Sequence, residues 1–472
     1  MSRLTRRNLV VGGITSTLAA VALVACSSSS PAPTTVPTRP TQPTASSASG
    51  AAPSPTAKPA AQASQSSSNA VKMIGLFQAN GLKDRAIWLS CFKAFSKQYP
   101  NVTVEFVQWP FDPTKVLTMM AGGTPPDVFE SHPAIIMEFI AAKQLVDLTD
   151  RAKADKKLDM ADILPKQIEF VSYAGKLYAL PYYSGPSTVF INETMFEKAG
   201  LESPSKNWQT KHWTWDDLHT LALKFAKGSG SAKTWGFDQG GHNTSLQYYW
   251  SVPIWDNGGF MISKDGSTWG LDQKPALAML QMHLDLYKHG AIPTPTEAQS
   301  MPSTGAFTTG RLAMSFGVRG DVPEYAAHST FKLGLAPMPK GKSWVNRDGP
   351  NGVAIPTGVK HVDDSYRLGR FMGSVEGQKI FMAGGRSVPI RKSVLESGEF
   401  KKSLLPWEDI NIYIQAANTV KVFRLPPKGS EMQRDLNTEW DKVLLGQEDL
   451  NTAMQKVVPQ MNALLKSGGS EH

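Results

Sequence analysis

From residue 71 onward, short apolar runs alternate with amphipathic stretches of helical period. "VKMIGLF" predicts a first strand. In "DRAIWLSCFKAFSKQY", Ile87, Trp88, Cys91, Phe95 and Tyr99 recur at helical spacing and predict the helix that crosses back. "NVTVEFVQW" then reads as a second strand, "PTKVLTMMAGG" as a helix closed by glycine, and "DVFES" as a short third strand that turns polar at its end. Strands alternating with helices predict an α/β fold with largely parallel sheets. In such sheets ligands bind beyond the carboxyl ends of the strands, which makes Glu130, Ser131 and His132 candidates for contact. The glycines before them, in "AGGTPPDVFESHP", are no phosphate cradle. No Lys-Ser/Thr follows them, and the next element is a strand, so they read as a helix stop and a rigid turn, with Asp127 fixing the turn.

Other periodic stretches read as scaffold. In "TWDDLHTLALKFAKG", Thr214 is placed to cap a helix with Asp217 reaching back, and Leu218, Leu221, Ala222 and Phe225 form one face. "SYRLGRFMGSVEGQKIFMAGG" reads as helical packing ended by glycine. The acid pairs Asp216-Asp217 and Asp363-Asp364 fall at helix starts, where capping and the macrodipole account for them.

The first 70 residues have no such pattern. "MSRLTRRNLVVGGITSTLAAVALVAC" joins a basic start to an apolar run and small residues ending at Cys26. That is an export signal over 1–25 whose end resembles a lipobox, which would leave Cys26 lipidated. The paired Arg6-Arg7 also resembles a twin-arginine signal, and the Sec route stays open. Residues 26–70 are Ser, Thr, Pro and Ala with little to bury, a disordered tether spanning on the order of 35 Å.

Formal charge is +9 and falls to +6 once Arg3, Arg6 and Arg7 leave with the signal; the excess is scattered, so nucleic acid is not an expected partner. Cys91 has no partner once Cys26 is lipidated, which leaves no disulfide and no Cys-rich metal site; its place on the helical stripe predicts a buried thiol. There is no G-x-S-x-G, H-E-x-x-H or Walker loop. No pair of carboxylates is nominated for glycoside hydrolysis either, which leaves a secreted polysaccharide hydrolase as the rival from another class, and a surface adhesion or sensory module as a third.

"FSKQYPNVTVEF", "AGGTPPDVFES", "GKLYALPYYSGPSTVFINETMFEKAGL" and "WTWDDLHTLALKFA" appear in that order, followed by "IWDNGGFMI", "AFTTGRLAMSFG", "LGLAPMPKG", "GVAIPTGVKHVDDSYRLGRFM" and "GGRSVPIRKSV". Together they resemble the successive blocks of bacterial extracellular solute-binding proteins, the sugar-binding family of ABC importers. The resemblance implies a two-lobe, type II periplasmic-binding-protein-like α/β fold with a hinge and a ligand cleft between the lobes. By blocks, lobe one would hold 71–181 and 340–385, and lobe two 187–335 and 390–470. The crossings would lie near Pro181–Pro186, Leu335–Pro339 and Arg386–Pro389.

It further implies a monomer that binds a carbohydrate, needs no cofactor or metal, and hands its ligand to permease subunits served by a separate ATPase. Glycerol phosphate, polyamine or another small solute is the alternative ligand. At the strand tips, Gln78 and Asn80 offer amides and Glu130 and Ser131 offer oxygens to hydroxyl pairs; His132 serves either contact or helix entry. Tyr182, Tyr183 and Ser184 stand at the first crossing. "SLQYYWSVPIWDNGGFMI" supplies aromatics for stacking on sugar rings, with Tyr248 and Trp255 foremost. Gly317 would permit close approach, Arg319 would donate a guanidinium fork, and Asn351 and Arg386 are polar candidates near the crossings.

Overall fold

The computed structural model describes residues 70–79, 81–211, 213–238, 246, 250–301 and 305–468. The expected signal, Cys26, the tether, Asn80 and Tyr248 lie outside the described residues. Thirteen strands are found among the described residues: β1 (Val71–Phe77), β2 (Val102–Gln108), β3 (Val128–Ser131), β4 (Ser172–Tyr173), β5 (Lys176–Leu177), β6 (Ala179–Tyr183), β7 (Thr188–Asn192), β8 (Trp235–Asp238), β9 (Leu312–Gly317), β10 (Leu333–Ala336), β11 (Asn346–Arg347), β12 (Asn351–Ala354) and β13 (Val420–Lys421).

The first sheet has the order β2-β1-β3-β12-β6, with β1 parallel to both β2 and β3. The helix Gly81–Gln98 crosses between β1 and β2 and buries Trp88, Cys91, Phe92 and Phe95 in the core beside the sheet. Burial pushes the Cys91 thiol well above its ordinary range, the state of a small packed hydrophobe and not of a nucleophile. The helix Pro113–Ala121 is capped by Asp112, whose carboxylate accepts from the Thr114 N–H at 2.9 Å, and closes at Gly122; Gly123 follows in the left-handed region. Asp127 then enters the sheet doubly bonded to one residue of β1. Its N–H donates to the Ile74 carbonyl at 2.9 Å, and its carboxylate accepts from the Ile74 N–H at 2.8 Å.

Parallel pairing does not extend as far as the alternation of elements suggests. β12, far along the chain, slots antiparallel between β3 and β6. The second sheet, β10-β7-β9-β8, is antiparallel at two of its three seams, with only β8 and β9 parallel. The reason is connectivity. A strand donated by a distant segment is under no obligation to run the way a helical crossover would impose.

The helices Val362–Met372 and Val375–Ala383 bury Tyr366, Leu368, Phe371 and Phe381 in the first sheet's core. The helices Lys274–Lys288, Gly429–Leu444 and Leu450–Ser467 share another, with Trp250, Trp269 and Trp440 in it. Thr214 caps Trp215–Phe225 in a capping box: its hydroxyl accepts from the Asp217 N–H at 3.2 Å and the Asp217 carboxylate accepts from the Thr214 N–H at 2.8 Å. Loss of such a cap typically costs about 1 kcal/mol.

Three passages of chain between the sheets are stitched together. Ser184 bridges Val388 and Pro186 bridges Asp348, both antiparallel. The middle passage is therefore engaged at 346–349, whereas Leu335 and Ala336, expected at a crossing, are still within β10 and paired with Phe190 and Val189.

Candidate functional site

β1, β2 and β3 run parallel, so their carboxyl ends share one edge of the first sheet. Glu130 sits there fully buried. One oxygen accepts from the Gln78 N–H at 2.8 Å; the other takes the Asn351 amide at 2.6 Å and the Tyr182 hydroxyl. Burial raises the Glu130 carboxyl above the usual carboxylate range, opposed by the Arg386 charge and these hydrogen bonds.

Arg386 completes this network. Its guanidinium pairs with Asp84 in the first turn of the helix Gly81–Gln98, lies 3.6 Å from Glu130 and donates to the Gln78 carbonyl at 3.1 Å. The faces of Trp88 and Tyr183 flank it at 4.9 and 5.6 Å.

Most of the residues expected to meet a ligand are thereby engaged with the protein itself. Gln78 gives its backbone N–H and carbonyl to the network, with the Trp88 indole also donating to that carbonyl at 3.0 Å, while the side-chain amide expected to meet a ligand takes no part in these bonds. The Ser131 hydroxyl accepts from the Gly352 N–H at 3.1 Å, and that of Ser184 donates to Asp348 at 2.7 Å. Asp348 also accepts from the Gln167 amide and the Gly185 N–H, both at 2.6 Å. Gly317 ends β9 against the Phe190 ring and Asp321, where an added Cβ would meet both at 2.7 Å.

Arg319 is the clearest departure from expectation. Its guanidinium is fully buried, pairs with buried Glu408 at 3.2 Å and donates to the carbonyls of Met382 at 3.1 Å and Ser387 at 2.9 Å. A residue so enclosed braces the passage at 386–388 and has no donor directed at a cleft. Of the amide candidates, Asn351 keeps one side free, since its buried Oδ1 has no partner among the described residues.

A different set of side chains gathers near the same edge, with Lys421 exposed, Phe111 half-buried, and His132, Arg347 and Trp255 buried. Beyond β2, half-buried Phe111 adopts a left-handed backbone at φ 59° and stacks on His132, with ring centroids 4.5 Å apart. Such a conformation in a bulky residue is held by its surroundings and tends to occur at working sites. Burial, with the Arg347 charge beside it, pushes the His132 imidazole down to about 3, so it stacks as a neutral ring. Arg347 pairs with Lys421 across the β11–β13 ladder. The Lys421 ammonium lies over the Trp255 ring at 4.9 Å, and Phe423 meets the same ring edge-on at 5.9 Å.

The Pro133 carbonyl accepts from the Leu425 N–H at 3.1 Å, drawing this second group against the tip of β3. Phe111 thus stacks on His132, the Arg347 charge acts on His132, Arg347 is in register with Lys421, and Lys421 lies over Trp255. Of these, Trp255 and His132 were singled out from the sequence, whereas Phe111, Arg347 and Lys421 were missed. The legible trace of Phe111 is an aromatic between two prolines, "WPFDP", directly after a strand. No such signal marks the other two.

Among the described residues no cluster of His, Cys, Asp and Glu could hold a metal ion, and no helix is long and apolar enough to cross a membrane.

Two sheets joined by three stitched passages, with polar and aromatic side chains gathered at the carboxyl edge, define a two-lobe binding fold. The model of the bacterial extracellular solute-binding proteins matches residues 79–379, more than half of the chain, and the protein belongs to that family. The chain is 25% identical over 339 residues to the arabinooligosaccharide-binding protein of Bacillus subtilis, covering 68% of this chain and 74% of that one. It is 24% identical over 442 residues to the sn-glycerol-3-phosphate-binding periplasmic protein of Rhizobium meliloti, covering 82% and 95%. Among solved structures, an ABC substrate-binding protein of Listeria monocytogenes in complex with cycloalternan superposes with a TM-score of 0.74 at 20% identity, over 84% of this chain and 99% of that one. The family and these neighbours are binding proteins, not enzymes, and the family is extracellular.

Proposed function

We propose that this protein is the capture component of an ABC importer for a mono- or oligosaccharide. It closes its two lobes on the ligand and presents the closed form to membrane permease subunits, while a separate subunit consumes ATP. Lipidated Cys26 holds it at the outer face of the membrane and residues 26–70 let it swing. The observation that carries the reading is half-buried Phe111 stacked on a neutral imidazole, at the strand edge where α/β sheets take ligands, with the Leu425 N–H bonded to the Pro133 carbonyl at the same tip. Aromatic faces suit the C–H faces of pyranose rings. Closure follows because a ligand touching both lobes makes its full set of contacts only in the closed form.

The binding step needs no cofactor and cleaves no bond. A screen of saccharides by thermal shift and calorimetry tests it, since a ligand that binds only the native form must raise its melting temperature. Saturable binding of a saccharide without turnover is expected; net product formation, or no saccharide binding at all, contradicts it. A phosphate-bearing polyol is the second reading, favoured by the cation at Lys421 and by similarity to the Rhizobium meliloti protein.

A further inference from the structure

Two cations belong to this second group, and their situations differ: Arg347 is buried and Lys421 is exposed. Arg347 lies among acids: its charge acts on Asp321 and on Asp348, so it is answered within the protein. Lys421 is not. Its side chain is exposed, no carboxylate is within ion-pair distance of it among the described residues, and its nearest described electrostatic partner is the Trp255 ring. The ammonium therefore covers the aromatic face on which a neutral sugar would stack, and Trp255 is itself only 6% exposed. A neutral pyranose would have to displace a cation from its π partner and leave it without a substitute. A saccharide bearing a negative group would instead give that cation a charge-assisted hydrogen bond. Phe111, held between Trp109 and His132, offers its remaining exposed surface to the sugar's apolar face.

We propose that the ligand is an acidic saccharide, carrying a carboxylate or equivalent anion that Lys421 receives while Phe111 stacks on the ring. The proposal rests on the carbohydrate reading above and narrows it. Lys421 then acts as the residue that sets specificity, with Arg347 behind it adding positive potential from the neighbouring strand.

The experiment is calorimetry of the full-length protein with digalacturonate, its neutral counterpart digalactose, and sn-glycerol 3-phosphate. Digalacturonate is expected to bind at least about tenfold more tightly than digalactose, the size of one charge-assisted hydrogen bond. Lys421→Met should reduce that ratio toward unity, with a melting temperature close to the parent's showing that the variant is folded. Equal or tighter binding of the neutral sugar overturns the proposal and leaves the carbohydrate reading standing, as does an unchanged ratio in Lys421→Met. Preference for sn-glycerol 3-phosphate over both sugars overturns the saccharide half of it. Binding of neither sugar overturns this proposal, while the carbohydrate reading falls only if the wider saccharide screen is also empty.

Discussion

Two polar regions at the same sheet edge follow opposite electrostatic rules. Around Glu130 and Arg386 every charge is buried and answered by an opposite charge, a hydrogen bond or a ring face. Around Phe111, His132, Lys421 and Trp255, a half-buried ring stacks on a buried neutral imidazole, and an exposed cation has no acid within ion-pair distance among the described residues. The first arrangement ties the carboxyl edge of the first sheet to the passage at Arg386. The second leaves interactions to be completed by something else. A polar side chain at a strand tip is thus not in itself a ligand contact; what matters is whether its hydrogen-bonding capacity is already used.

The sharpest way to break this distinction is Arg386→Ala, which strands Asp84 and Glu130 in the interior. Removing one partner of a buried ion pair typically costs about 3–5 kcal/mol, so chemical denaturation should show a loss of that order. A change near zero would mean that the network is not structural.

Trp255→Ala should come next. Its ring is nearly buried in a shared core, so about 3 kcal/mol of stability should go with its packing, alongside weaker ligand binding. An unchanged dissociation constant would remove Trp255 from the site.

Phe111 sharpens the comparison from the other side. Phe111→Gly relieves a left-handed backbone, worth roughly 1–2 kcal/mol for a residue with a Cβ, while deleting the ring. Stability should hold or rise as saccharide affinity falls. A fall in both would place Phe111 with the core.

A further effect is a pH slope. Asp256 is buried and accepts from the Val345 N–H at 2.7 Å and the Trp215 indole at 3.2 Å; burial pushes its carboxyl up to about 7. A carboxyl whose folded value is raised binds its proton more tightly when folded, so its contribution falls as pH rises from about 4, the unfolded value, to about 7. His132, pushed down to about 3, works in the opposite sense: its folded form prefers to stay neutral, so stability is lost as pH falls from about 6.5 toward 3. Asp256→Asn should therefore make the loss of stability on acidification steeper between pH 7 and 4 than in the parent. Superimposable melting profiles would contradict that assignment.

The first sheet was legible because its strands are apolar runs bounded by a capped helix and paired glycines, all local signals. Thr214 with Asp217 and the Gly122–Gly123 stop were readable on the same ground. The sense of β12 was not, since antiparallel insertion depends on where a segment some 220 residues farther along returns, as its pairing of Gly352 with Ser131 shows. The candidate site divided in the same way. Glu130, Arg319 and Arg386 have the residue types of a sugar site, but their partners Asn351, Glu408 and Asp84 lie 221, 89 and 302 positions away, and a linear pattern has no means of showing that they are already paired. Phe111 escaped notice because the feature that matters, a left-handed backbone under a stacked ring, is conformational.

The central claim is that the buried junction serves the fold and the ring-and-cation face serves the ligand. Its most direct test is paired calorimetry and thermal melting of Glu130→Gln and Phe111→Ala against the tightest saccharide found by screening. The account predicts a lower melting temperature with nearly parental affinity for Glu130→Gln, and near-parental melting with clearly weakened affinity for Phe111→Ala. Lost affinity with unchanged melting in Glu130→Gln, together with parental affinity in Phe111→Ala, would contradict it.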